Sequence, residues 1–157
     1  MTKRYWLFKS EPTSYSWDDL VKDGVAEWDG VRNYQARNLL RDEVHEGDGV
    51  LFYHSSSKPL AIVGTATVVR GGYPDHTAWD PTSEHPDPKS TPGNHIWYMV
   101  DIRAMERFDE PMTLESLKAV PQLADMVLLK RGGRLSIQPV TVGEWETIRA
   151  LGNPRPV

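Results

Sequence analysis

The sequence contains no cysteine. This absence excludes disulfide frameworks, thiolate zinc sites and thiol nucleophiles, and it fits a reducing compartment, for which the cytoplasm is the simplest expectation. No stretch approaches the roughly 18 consecutive apolar residues that a membrane-spanning helix needs. The short apolar run before Lys9 is too brief for the core of a signal peptide. We therefore expect no membrane association.

Positive charge is also in slight deficit, because 18 Lys and Arg face 22 Asp and Glu, for a net charge of −4. This balance argues against a protein that coats nucleic acid by bulk attraction, although it permits a local basic face. The hydrophobic fraction of 39% over 157 residues predicts a single folded domain spanning residues 1–157. Six Trp and six Tyr supply many flat side chains for a core or for stacking on bases.

Strands and helices are predicted in an irregular order, which favours an α+β fold over a doubly wound sheet. Apolar runs predict strands at residues 5–9, 50–54, 60–70, 95–105 and 135–140. N-capping residues predict four helices, which begin after Ser16, Asn33, Thr113 and Thr141.

Several details of these elements are also predicted. Gly24 is expected to end the first helix, and the second is expected to run to about Val44. Gly64 inside the long strand indicates a bulge or a close approach of another backbone. Residues 71–95 carry five prolines and are expected to form a long irregular loop. The last helix is expected to place Trp145, Ile148 and Leu151 on the core before Gly152 stops it.

Three segments resemble the signature blocks of the EVE domain family: residues 5–12 (YWLFKSEP), 28–38 (WDGVRNYQARN) and 136–141 (SIQPVT). The resemblance runs from about Arg4 to Leu151. It implies a PUA-like mixed β-barrel flanked by short helices, related to the YTH and SRA readers. It also implies a pocket suited to modified bases, such as methylated cytosine or adenine, presented by DNA or RNA.

We expect the pocket to lie where the first strand ends and the Asn33 helix begins. Extruding a base costs a few kcal/mol of stacking, and a flat aromatic wall returns about 1 to 3 kcal/mol. Trp28, just before a glycine turn, is the candidate for that wall and resembles the cage tryptophan of YTH readers. The alternative is that Trp28 is an ordinary packed core residue.

Polar groups at the pocket are expected to bind the edge of the base. Lys9 and Ser10 end the first strand, where backbone groups leave the ladder, although Lys9 is equally compatible with solvent or with a pair to Glu11. Asn33 offers an amide that the helix cap also needs. The other candidates for the lining are His54, Ser55, Ser136 and Gln138, with a solvent-facing strand position as the alternative for Gln138.

Basic residues form two groups that could contact phosphates beside the extruded nucleotide. Arg32, Arg37 and Arg41 surround the start of the second helix, and Tyr34 lies on the same stripe. Lys89 joins the candidates through another segment of the resemblance, residues 87–90. The second group is Lys130, Arg131 and Arg134, for which an ordinary solvated surface is the alternative.

The predicted function is a non-catalytic reader that needs no cofactor and transmits its output through an unnamed protein partner. A metal-dependent nuclease or hydrolase is one alternative, and a sensor of a free nucleoside or other small ligand is another. The adjacent His54 and Ser55 point to opposite strand faces and cannot share a proton. A metal site would draw on acidic and histidine residues of one loop without any fixed ligand spacing, namely Asp75, His76, Asp80, Glu84, His85 and Asp87.

Overall fold

The computed structural model describes residues 3–130 and 134–157. Within these ranges lie seven strands and four α-helices. In chain order they are β1 (Tyr5–Ser10), α1 (Trp17–Asp23), β2 (Val25–Glu27), α2 (Tyr34–Asp42), β3 (Gly49–His54), β4 (Ala61–Pro74), β5 (Tyr98–Thr113), α3 (Leu114–Lys118), β6 (Ile137–Val140), α4 (Val142–Gly152) and β7 (Pro154–Pro156). Short 3₁₀ helices cover His76–Trp79, Pro121–Leu123 and Val127–Leu129.

The strands form one mixed sheet in the order β2-β5-β4-β3-β1-β6. Strand β5 also pairs with β7, through residues 106–108, whereas β2 pairs with residues 101–103 of β5. Strands β1 and β3 run parallel, with Tyr5 opposite Gly49 and Ser10 opposite His54. The described strands β2 and β6, at the two ends of this order, do not pair, so the sheet stays open. The predicted α+β fold, a barrel-like mixed sheet flanked by short helices, is confirmed.

The central strands are buried on both faces, and alternation sends their side chains into two separate cores. Trp6 and Phe8 of β1 point to one core, whereas Leu7 points to the other. We call the first the aromatic cluster; its large members are Trp6, Phe8, Trp17, Trp28, Leu40 and Phe52. We call the second the aliphatic cluster; it is built mainly from Leu7, Leu51, Ile62, Met112, Leu117, Leu123, Met126 and Ile148.

The predicted helix caps are confirmed. The Ser16 hydroxyl accepts from the Asp19 N–H at 3.1 Å, and the Asp19 carboxylate accepts from the Ser16 N–H at 2.9 Å. Asn33 accepts from the Ala36 N–H at 3.0 Å. Thr113 and Thr141 cap α3 and α4 in the same way. These bonds satisfy N–H groups that the first helical turn leaves without a partner.

Strands β4 and β5 are longer than predicted. β4 continues to Pro74 and β5 to Thr113, because the two strands pair with each other along most of their length, from Ala61 opposite Thr113 to Pro74 opposite Tyr98. The segment 71–95 is therefore not irregular throughout, since it begins as strand and contains a 3₁₀ turn. Long-range pairing outweighed the local signal of the prolines and glycines.

The predicted close approach at Gly64 is confirmed. The register of β4 against β5 shifts between Ile62 and Gly64. A Cβ at Gly64 would lie 2.6 Å from both the Glu106 carbonyl oxygen and the Trp17 indole. Glycine thus lets the indole of α1 pack directly on the sheet, which holds α1 beside the aromatic cluster.

Two helix predictions are wrong in detail. Helix α2 ends at Asp42, although Val44 is still buried. In α4 the inner face runs through Trp145, Ile148 and Gly152, at spacings of three and four residues. Leu151 falls outside this stripe and is 46% exposed, while Gly152 belongs to the helix, which ends at the left-handed Asn153.

None of the helices in the described ranges combines the length and apolarity that a bilayer crossing requires.

Candidate functional site

A cavity of about 700 Å³ opens at the carboxyl end of β1. Its walls come from the end of β1 and the turn after it, from β2 and residues 28–32, and from the loop that contains Glu84 and His85. This is the region in which the sequence predicted a pocket. The described lining residues are Lys9, Ser10, Glu11, Ser14, Tyr15, Asp23, residues 25–32, Glu84, His85 and Ser136.

Trp28 belongs to both the aromatic cluster and the cavity wall. Its ring centroid lies 5.4 Å from that of Phe8 and 5.6 Å from that of Phe52, and Tyr15 approaches edge-on at 6.2 Å. Its backbone N–H donates to the Val100 carbonyl at 2.7 Å. Trp28 as a whole keeps 8% of its surface accessible. Packing therefore fixes the plane of the indole in a residue that also lines the cavity.

The turn after Trp28 is held by hydrogen bonds to the carboxylate of Asp75, an arrangement that we call the Asp75 lock. Gly30 has a φ of +77°, which glycine adopts without strain, and its N–H donates to the Asp75 carboxylate at 2.9 Å. A Cβ at Gly30 would lie 2.6 Å from the imidazole of His85. The absence of a side chain at Gly30 thus lets His85 close against the turn and complete the cavity wall.

Arg32 completes this lock. Its guanidinium donates to Asp75 at 2.9 Å and to the His85 carbonyl at 2.5 and 3.2 Å. Burial alone would raise the pKa of Asp75, but hydrogen bonds from Thr77, Arg32 and Gly30 outweigh burial and hold that pKa below its ordinary value. Arg32 therefore ties the loop of His85 to the Trp28 turn. A phosphate contact by Arg32 would compete with these bonds.

The polar end of β1 also lines the cavity. The Lys9 N–H donates to the Ser136 carbonyl at 2.9 Å, and the Lys9 ammonium lies 5.9 Å from the centroid of the Tyr53 ring. Burial lowers the pKa of Lys9. The Ser10 hydroxyl donates to the Tyr15 carbonyl at 2.5 Å, so its oxygen keeps acceptor capacity toward the cavity.

Five of the twelve predicted site residues thus line the cavity: Lys9, Ser10, Trp28, Arg32 and Ser136. The structure places the other seven outside the lining: Asn33, Tyr34, Arg37, His54, Ser55, Lys89 and Gln138.

Contacts nevertheless lead from the cavity to the start of α2. The Arg32 guanidinium lies 5.6 Å from the centroid of the Trp97 ring, and the Tyr34 ring packs against Trp97 with a tilt of 32° and a centroid distance of 4.9 Å. The Arg37 guanidinium lies 5.0 Å from the Tyr34 ring and donates to the Ile96 carbonyl at 2.6 Å. Tyr34 is 58% exposed. These side chains form an accessible surface beside the cavity, whereas Asn33 serves as the cap of α2.

The remaining predicted residues have structural contacts. The His54 ring nitrogen accepts from the Trp17 N–H at 3.0 Å, and burial lowers the pKa of His54. The Ser55 N–H donates to the Ser10 carbonyl at 2.9 Å. The amide of Gln138 is buried and donates to the Leu135 carbonyl at 2.9 Å. Lys89 is exposed, with its N–H donating to Asp87 at 3.1 Å.

Of the second basic group, Arg131 lies outside the described residues. Lys130 and Arg134 are exposed, and neither lines the cavity.

The acidic loop does not assemble into a metal centre within residues 3–130 and 134–157. Asp75 binds Arg32, His76 contacts Glu27 at 2.9 Å, and Asp87 accepts from the Trp97 indole N–H at 2.6 Å. These residues therefore point to different partners.

Several lining residues were not predicted from the sequence, among them Tyr15, Asp29 and His85. Asp29 could have been predicted as a lining residue, because it directly follows Trp28 in the sequence. Burial and a hydrogen bond to Asp23 raise the pKa of Tyr15. Tyr15 and His85 reach the cavity from a turn and a loop whose local sequence carries no comparable mark.

A second depression, of about 690 Å³, lies elsewhere on the surface and is more open. We call it the lysine groove; its described lining consists of residues 56–60, residues 113–115 and Lys118.

An open mixed sheet with an aromatic-walled cavity beside its parallel strand pair defines a ligand-binding α+β domain. The chain matches the EVE domain over residues 4–151. It therefore belongs to the EVE domain family.

Similar proteins extend this result. Mouse thymocyte nuclear protein 1 is 40% identical over 97% of this chain and 75% of its own length. The structure of a hypothetical protein from Leishmania major is 46% identical, with a TM-score of 0.90 over 96% of this chain and 95% of that one. Human THYN1, solved in complex with DNA containing 5-methylcytosine, is 36% identical, with a TM-score of 0.89 over 98% of this chain and 100% of that one.

Proposed function

We propose that this chain is a non-catalytic reader that takes a modified nucleobase, extruded from nucleic acid, into the cavity walled by Trp28. The observation that carries the proposal is that Trp28, whose indole is held in place by Phe8 and Phe52, lines a cavity of about 700 Å³. Stacking on such a fixed plane offsets part of the cost of extruding a base.

DNA containing 5-methylcytosine is the ligand that we propose to test first, because the human relative was crystallised with it. The cavity offers an aromatic plane and polar groups at the end of β1, which suit a flat heterocycle with a hydrogen-bonding edge. The flanking phosphates would lie outside, along Tyr34 and Arg37, which the contacts through Trp97 connect to the cavity.

The test compares binding of oligonucleotides that differ only in one central 5-methylcytosine or cytosine, by fluorescence anisotropy. We expect the intact protein to prefer the methylated strand and Trp28→Ala to abolish that preference. Because Trp28 also packs in a core, Trp28→Phe is the matched variant, since it keeps an aromatic plane. Equal binding of both strands by the intact protein would overturn the proposal, as would an unchanged preference in a folded Trp28→Ala.

Absence of catalysis is part of the proposal. The acidic residues expected for a metal-dependent hydrolase are directed to separate partners, with Asp75 engaged by Arg32. Incubation with end-labelled methylated and plain oligonucleotides, with added Mg²⁺ or with EDTA, should leave them intact. Cleavage that EDTA abolishes would identify an enzyme instead.

We propose the cytoplasm as the compartment, whereas the mouse relative is named a nuclear protein. Imaging of a fluorescently tagged copy distinguishes the two.

A further inference from the structure

The cavity wall carries five carboxylates, a feature that stacking alone does not explain. They belong to Glu11, Asp23, Glu27, Asp29 and Glu84. A negatively charged wall disfavours phosphate inside the cavity and favours groups that donate hydrogen bonds. The carboxylate that is available to a ligand therefore determines which hydrogen-bond donor the ligand must carry.

Four of the five carboxylates contact another side chain. The partners are Ser56 for Glu11 at 3.4 Å, Tyr15 for Asp23 at 2.8 Å, His76 for Glu27 at 2.9 Å and His85 for Glu84 at 4.0 Å. Asp29 is different, because within the described part of the chain its carboxylate is hydrogen-bonded to its own backbone N–H and attracted by His85, without a direct hydrogen bond or ion pair to another side chain.

The position of Asp29 places its carboxylate next to the expected stacking site of the base. It directly follows Trp28 and precedes the locked Gly30, so its backbone is fixed beside the aromatic wall. Partial burial raises the pKa of Asp29, and the nearby carboxylate of Asp75 adds to the shift. His85 and the backbone N–H of Asp29 act in the opposite direction but do not cancel the increase in pKa. A partly desolvated carboxylate that is incompletely compensated gains when a ligand donates a hydrogen bond to it.

A carboxylate at this position can distinguish two bases that a stacking indole and an apolar niche for the methyl group bind equally well. Thymine carries the same 5-methyl group as 5-methylcytosine and a ring of the same shape. Burying a methyl group contributes only about 1 kcal/mol, and it contributes equally to both bases. The two differ at position 4, where cytosine has an amino donor and thymine a carbonyl acceptor, and a carboxylate accepts from the first and repels the second.

We propose that Asp29 is a specificity-determining residue, which accepts a hydrogen bond from the exocyclic amino group of the bound base. The cavity then takes amino-bearing bases and rejects thymine and uracil. This inference rests on the proposed function and adds to it the chemical class of base.

The experiment uses four oligonucleotides in which the central base is cytosine, 5-methylcytosine, uracil or thymine. Each is placed opposite an abasic site, so that loss of base pairing does not differ among them. Fluorescence anisotropy then separates the effect of the 5-methyl group from that of the 4-amino group. We expect the intact protein to bind 5-methylcytosine roughly 10-fold to 100-fold more tightly than thymine.

Asp29→Asn is the decisive variant, because an amide can either accept from an amino group or donate to a carbonyl. We expect the ratio of 5-methylcytosine to thymine binding to fall to within about threefold of unity, while the ratio of 5-methylcytosine to cytosine binding is kept. Asp125→Asn is the matched control, since it makes the same change of charge on an exposed residue outside the cavity lining. Thermal unfolding of each variant verifies that it is folded.

The outcomes separate the two claims. If the intact protein fails to prefer 5-methylcytosine over cytosine, the proposed function fails. If that preference is present but the intact protein does not discriminate thymine, the inference about Asp29 fails alone. It also fails if folded Asp29→Asn keeps the full discrimination, or if Asp125→Asn loses it to the same extent.

Discussion

The aromatic cluster and the aliphatic cluster share the strands of one sheet, and a depression of nearly equal volume adjoins each of them. The cavity beside the aromatic cluster is walled by Trp28, a fixed member of that cluster. The lysine groove beside the aliphatic cluster is bordered by Leu60 and Leu114, which only pack against its edge. Volumes of about 700 and 690 Å³ therefore do not distinguish the two.

The linings do distinguish them. The cavity combines a fixed aromatic plane, the polar end of β1 and a carboxylate beside the plane. The lysine groove offers two lysines and leucines, with no aromatic residue in its described lining. A flat heterocycle needs a rigid plane and a few placed polar groups, which only the first combination provides. The aromatic cluster therefore contributes to the binding site as well as to stability, because its member Trp28 also walls the cavity.

The largest expected effect lies in the aliphatic cluster. Leu51→Ala removes a fully buried side chain and should lower the free energy of unfolding by about 2–5 kcal/mol. The preference for 5-methylcytosine should remain, because Leu51 points away from the cavity. Urea denaturation and anisotropy measure the two quantities. Loss of the preference for 5-methylcytosine in a variant that is still folded would contradict separate roles for the two clusters.

An intermediate effect is expected at Asp75, which holds the turn after Trp28. Asp75→Asn should cost about 2–3 kcal/mol, because it leaves Arg32 without its carboxylate partner. It should also weaken base binding, because Arg32 anchors the loop of His85. Thermal unfolding and anisotropy at neutral pH test both effects, and full retention of stability would contradict the proposed lock.

The pH dependence of this lock has a definite sign. Because the folded-state pKa of Asp75 lies below the unfolded value of about 3.9, the folded protein binds this proton less tightly. The stabilisation is therefore present above about pH 4 and is lost as the pH falls through the folded-state pKa. The stability difference between the natural protein and Asp75→Asn should shrink in that acid range, and a difference that widens there would contradict the assignment.

The smallest effect on stability, about 1 kcal/mol of backbone strain, is expected at Gly24, which has the same φ angle as Gly30. Gly24 and Gly30 both have a φ of +77°, so alanine should be strained to a similar extent at each. Only at Gly30 would the new Cβ meet another group, the His85 imidazole. Gly30→Ala should therefore reduce base binding and Gly24→Ala should not. Equal binding by the two variants would show that His85 does not shape the site.

Much of the local structure could be predicted from sequence because its causes are local. The cap at Asn33 and the capping box at Ser16 need only residues within one turn of each other. The position of the cavity followed from the end of β1 and from Trp28 before a glycine turn. Alternation of Trp6, Leu7 and Phe8 also separates the two cores once a strand is assigned.

The rest depended on contacts between distant residues. The lock of Gly30 and Arg32 on Asp75 joins positions more than 40 residues apart, and it forms only because β4 extends along β5 to Pro74. The sequence around Asp75 resembled an ordinary acidic loop for the same reason. Arg32 was predicted to contact phosphate, since nothing local reveals that its donors are directed to Asp75 and His85.

Stacking of the base on Trp28 is directly observable in the NMR signal of a single ¹³C-labelled methyl group on 5-methylcytosine in a bound oligonucleotide. If the base stacks in the cavity, that signal should move upfield and show cross-relaxation with the indole protons of Trp28. Binding that leaves the methyl signal unmoved, or that connects it to the lysine groove, would contradict the account.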